Sequence, residues 1–153
     1  MGLNLVFHIP TYTKENSALP KPMNDNYSYW APLINYFLPK SNTIEIHCWN
    51  EEIESIKELK SLYKQEFAIV KEENLTIFKG SIDSAISNYI LYNSLNKSGE
   101  FKWFTINLDK GEKTIFYSGH WATEFLINNI MEKDIEVIKQ VTPPDTDFHH
   151  LIS

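Results

Sequence analysis

FKWFTINLDKGEKTIFYSGHWATEFLIN, residues 101–128, is the stretch whose pattern decides the fold class. Phe101 to Leu108 and Thr114 to Tyr117 are rich in aromatic and β-branched residues. Asp109-Lys110-Gly111-Glu112 between them supplies a turn, so the pattern predicts a hairpin. Ser118-Gly119-His120 turns the chain again, and Glu124 to Asn128 reads as a third strand of the same meander. A helix over Trp121–Ile130 is the competing assignment.

Working outward, the downstream chain has a short helix with apolar Ile135, Ile138 and Val141. Asn129 and Glu132 stand at capping-box spacing, Pro143-Pro144 ends the helix, and residues 142–153 read as a loose tail. Upstream, Leu3 to Ile9 is a strand stopped by Pro10, and 10–25 is irregular. Tyr27 to Leu38 is helical, with Pro32 in its first turn. Thr43 to Trp49 is a strand. Asn50 is expected to cap a helix running to Lys64, with Ile53, Ile56, Leu59, Leu62 and Tyr63 as its apolar stripe. Phe67–Val70 and Leu75–Phe78 form a hairpin. Ser81 or Asp83 then opens a helix that buries Ile82, Ile86, Tyr89, Ile90 and Leu95 and ends by Gly99. The expected order is β-α-β-α-β-β-α-β-β-β-α, a single α+β domain over 1–153 with a mixed, mostly antiparallel sheet and helices packed on it.

Composition narrows the function classes. The 153 residues suffice for one sizeable core, and the apolar runs fall far short of the ~20 residues that span a bilayer. The N-terminus lacks the pattern of a signal peptide, and Cys48 is the only cysteine, so a reducing, cytoplasmic setting is expected and no membrane partner. All 14 basic residues are Lys. With 14 Asn and 18 Ile, that skew fits an A/T-rich, bacterial genome. Without Arg the chain has no planar guanidinium fork for phosphate or guanine, and a net charge of −6 argues against nucleic acid as a partner.

Catalytic and cofactor signatures are weak. The glycines stand at none of the spacings of a Rossmann fingerprint or P-loop, and no G-x-S-x-G occurs. His47 and Cys48 are adjacent on a strand, so their side chains point to opposite faces and Cys48 reads as a buried small hydrophobe. No cofactor is expected. No metal is expected either, although His120 and Glu124 stand at i, i+4 and the tail carries Asp145, Asp147, His149 and His150.

The remaining signals are acidic and aromatic. Glu51, Glu54 and Glu58 share one side of the Asn50–Lys64 helix, and Tyr27, Tyr29 and Trp30 lie beside the irregular segment. Both sets are expected partner-binding residues. The expectation is a non-enzymatic protein-binding module, an immunity or antitoxin-type inhibitor of a basic toxin, steered by complementary charge. The alternative is a small enzyme or ligand sensor with a pocket near 10–25, whose polar groups would be His8, Tyr12, His120 and Glu124. A homo-oligomer joined through exposed aromatics is a third expectation.

Overall fold

Burial alternates along the strands and gives the main sheet two unlike faces. The computed structural model describes residues 3–15, 19–62 and 68–152. In chain order these form β1 (Leu3–His8), β2 (Thr11–Tyr12), β3 (Lys21–Pro22), α1 (Trp30–Phe37), β4 (Thr43–Trp49), α2 (Ile53–Leu62) and β5 (Ala68–Lys71). Then follow β6 (Leu75–Ser81), α3 (Ser84–Tyr92), β7 (Thr105–Lys110), β8 (Lys113–Gly119), β9 (Glu124–Ile127), α4 (Glu132–Val141) and β10 (Asp147–Ile152). The class is α+β. Tyr63, Lys64 and Phe67, expected at a helix end and a strand start, lie outside the described residues.

Eight strands form one sheet in the order β10-β1-β9-β8-β7-β4-β6-β5, and every neighbouring pair in it is antiparallel. Leu5, Phe7, Ile44, Phe78, Phe116 and Phe125 point to the covered face and are fully buried. From α1, Trp30 and Phe37 pack on Phe116, while α3 and α4 both contact α1. The opposite face carries half-buried polar groups such as Glu45, His47, Asn107 and Tyr117, as an antiparallel sheet with one wet side does.

Three strands stand outside the expected order. Within the irregular 10–25 segment, Thr11–Tyr12 and Lys21–Pro22 pair as a separate two-stranded sheet. The expected loose tail is corrected more sharply, because β10 pairs with the whole of β1, from Leu3↔Ile152 to His8↔Asp147. Phe148 is half-buried against Phe7 at 5.5 Å between ring centroids. Pro143-Pro144 marks a real stop, but the free edge of β1 supplies the partner that local sequence does not reveal.

Several local assignments also change. Asn50 does not cap α2: its side chain donates to the Glu73 carbonyl and accepts from the Thr76 hydroxyl, fastening the end of β4 to the β5–β6 turn. Asp83 does cap α3, accepting from the Ile86 amide at 2.9 Å. At α4 the Met131 amide donates to the Asp134 carboxylate, in place of the Asn129–Glu132 box. The buried face of α2 is rotated from the expected stripe. Ser55 and Leu59 face inward, whereas Ile53 is 58% exposed.

Leu59→Ala should therefore lower stability by roughly 2–5 kcal/mol, as truncation of a fully buried leucine does. Ile53→Ala should stay within about 0.5 kcal/mol, as changes at exposed sites do. Denaturant midpoints check both, and a larger loss for Ile53→Ala would reverse the assignment of the face.

Candidate functional site

Local structure first brings α2 and a distant turn together. His120, Trp121 and Ala122, between β8 and β9, have φ of 48°, 56° and 65°. Left-handed backbone costs an L-residue about 1–2 kcal/mol, so three in succession require external support. The Thr123 amide bonds the Gly119 carbonyl, and the Thr123 hydroxyl bonds the His120 carbonyl. From outside the turn, the Trp121 amide bonds the Phe104 carbonyl, and the Tyr29 hydroxyl donates to the Ala122 carbonyl at 2.6 Å. The turn directs the Trp121 indole N–H to a Glu52 carboxylate oxygen at 3.3 Å.

Glu52 borders a cleft of about 470 Å³ between α2 and the 95–102 segment. Leu19, Leu95, Phe101 and Trp121 form much of its apolar lining. Its carboxylates are Glu51, Glu52, Glu54, Glu58 and Glu100, set against Lys97 and Lys102. Gly99 holds a φ of 78° in the segment that forms the far wall, where Asn96 Oδ1 accepts from the Ser98 and Glu100 amides.

These acids differ in state. Glu58 accepts from Lys102 Nζ at 2.9 Å and from the Tyr89 hydroxyl at 2.7 Å. Burial alone would raise its pKa, but the bonds from Lys102 and Tyr89 outweigh that and hold it below the ordinary carboxylate range. Glu100 pairs with Lys21 at 3.2 Å. Glu51 and Glu54 form no ion pair with a described residue. Burial pushes Glu52 up to about 7; the nearby Glu51 charge adds to this, and the Trp121 bond opposes it.

The expected aromatic anchors lie elsewhere. Tyr27, Tyr29 and Trp30 are buried core residues, the last two at 1% exposure, so they present little surface. Tyr27 stacks on Phe101 at 5.8 Å, Tyr29 holds the left-handed turn, and the Trp30 indole bonds the Ile90 carbonyl at 2.9 Å. The acidic set is placed at the cleft as a group, although Glu58 is internally paired. Glu52, Trp121, Glu100 and Lys102 were missed as site residues. Only the acidic run at 51–54 marked the place in sequence.

Of the alternative set, three groups converge. His120 Nε2 lies 3.2 Å and His8 Nε2 3.6 Å from the two oxygens of Glu124, on the sheet's open face. Tyr12 instead bonds Asp25. The cleft does touch the 10–25 segment through Leu19, but its polar groups are the glutamates. Among the described residues, no group of three or more His, Cys, Asp or Glu is arranged to hold a metal ion. Cys48 is buried, and burial followed by the Glu52 charge raises its thiol pKa, while His47 bonds Glu45 at 2.8 Å on the other face. No helix of the described residues is long and apolar enough to cross a membrane.

No protein-family model, curated protein or solved structure matches the chain.

Glu52 gives the site a pH signature. Its carboxyl pKa rises from 4.5 to about 7 on folding, so between those values the native chain holds a proton that the unfolded chain has released. Its contribution is full below about 4.5 and is lost as pH rises through 7. Glu52→Gln, neutral at every pH, should melt higher than the parent at pH 8, the gap closing towards pH 4. Thermal melts across that range check it; a gap independent of pH would place Glu52 in water.

Proposed function

We propose that the chain is a protein-binding module whose acidic cleft receives a cationic segment of its partner. The narrower form is an immunity or antitoxin-type inhibitor that holds a basic bacterial toxin inactive in the cytoplasm. One observation carries the proposal: an apolar cleft is rimmed by Glu51 and Glu54, which have no described counter-ion, beside the half-buried Glu52. The net charge of −6 adds long-range attraction for a basic partner, which raises association rate. Glu58 serves differently from its expected role, since Lys102 already neutralises it and Tyr89 fixes it.

The convergence of His8 and His120 on Glu124 favours a second reading, a small-ligand site on the open sheet face where two imidazoles and a carboxylate offer hydrogen-bonding groups side by side. Glu124→Gln separates the two. It leaves cation binding at the cleft intact under the first and abolishes ligand binding under the second.

The direct test uses a fluorescently labelled peptide of alternating lysine and leucine. It should bind saturably, with affinity falling as salt rises, and Glu51→Lys with Glu54→Lys should weaken it about tenfold at low ionic strength. Anisotropy titration measures this. Equal binding of a glutamate–leucine peptide, or indifference to the charge reversal, would remove the proposal.

A further inference from the structure

Helix geometry gives α2 a second, oppositely charged flank. At about 100° per residue, Ser55 and Leu59 point inward, Glu54 and Glu58 lie towards the cleft, and Ile53, Lys57 and Lys60 form a ridge on the other side. Beyond that ridge lies a groove of about 450 Å³, where Lys57, Lys60 and Lys71 outnumber the one carboxylate, Glu72, beside Ile53, Ile56, Asn50 and Thr76. None of the three lysines pairs with a described carboxylate, in contrast to Lys21 and Lys102. Ile53 lines both the groove and the cleft at 58% exposure.

We infer that α2 is a bipolar docking surface for a protein segment that sets a basic residue in the cleft, an apolar side chain on Ile53 and an acidic residue among Lys57, Lys60 and Lys71. This rests on the cleft being the partner site and adds what the partner must look like on its other side. The two flanks meet at Ile53 and, with Glu54 and Lys57 at i, i+3, lie within the screening length of about 8 Å in physiological salt. A purely cationic partner is therefore attracted at the cleft and repelled at the groove, whereas a bipolar one is attracted at both. Opposite charges beside an apolar centre fix register as well as affinity. A second copy of this chain suits the surface less well, since two molecules of net charge −6 repel at long range.

The experiment compares three labelled peptides of equal length on the intact chain: lysine with leucine, glutamate with leucine, and one with lysine, leucine and glutamate in successive blocks. The bipolar peptide should bind about tenfold more tightly than the cationic one at low salt. Lys57→Glu with Lys60→Glu should erase or invert that preference. Ile53→Ser, at an exposed position that leaves the fold intact by circular dichroism, should weaken the bipolar peptide about tenfold. Equal binding of the cationic and bipolar peptides would overturn the inference while leaving the cleft reading in place. Failure of every peptide would overturn both. Sedimentation showing a dimer of the parent chain that Ile53→Ser dissolves would assign the surface to a second copy and overturn the heterologous partner.

Discussion

Trp30 stands where four distant parts of the chain meet. Its ring lies 4.7 Å from Phe101, 6.4 Å from Phe116 and 6.5 Å from Phe125, and its indole N–H satisfies the Ile90 carbonyl in α3. An eight-stranded sheet with one wet face must bury its apolar residues on the other. The aromatic side chains around Trp30 supply that cover, each burying about 150–250 Å². Tyr29, one residue earlier, extends the same anchor to the Ala122 carbonyl. The left-handed turn, the Trp121 indole and the wall of the cleft are thereby held by the core, although the cleft itself opens to solvent.

Much of this architecture was legible from local pattern. The meander from residue 105 to 127 showed its strands through β-branched and aromatic residues and its turns through Gly111 and Gly119. Asp83 showed its cap through residue type. What escaped depended on partners remote in sequence. Phe148-His149-His150-Leu151 becomes a strand because β1 has a free edge, and nothing within four residues of it signals that. Tyr27, Tyr29 and Trp30 looked available because they follow an irregular segment, yet Phe101 and Phe125 close over them.

The candidate site was partly visible for the same reason. The run Glu51-Glu52-Ile53-Glu54 identified a charged surface, but the small Ser55 occupies the inward position that an apolar stripe would assign to Ile53. Rotating the helix by that amount leaves isoleucine on the outside and carries Glu58 to Lys102 and Tyr89. Charge counting cannot separate a carboxylate neutralised inside the fold from one left unpaired at a rim. Geometry does so here, with Glu58 and Glu100 paired, Glu51 and Glu54 without a described counter-ion, and Glu52 half-enclosed, its carboxyl pKa pushed up to about 7 by burial.

Occupancy of the cleft can be read at one atom. The four tryptophans each contribute an indole N–H resonance, and only Trp121 both lines the cleft and bonds Glu52. Titrating the isotopically labelled protein with the cationic lysine–leucine peptide and following those four signals together with the backbone amides tests the central claim most directly. The account predicts a saturable shift of the Trp121 resonance, with those of the buried Trp30 and Trp103 unmoved. A Trp121 signal that stays fixed while His8, His47 and Glu124 shift would place the binding surface on the open face of the sheet and contradict it.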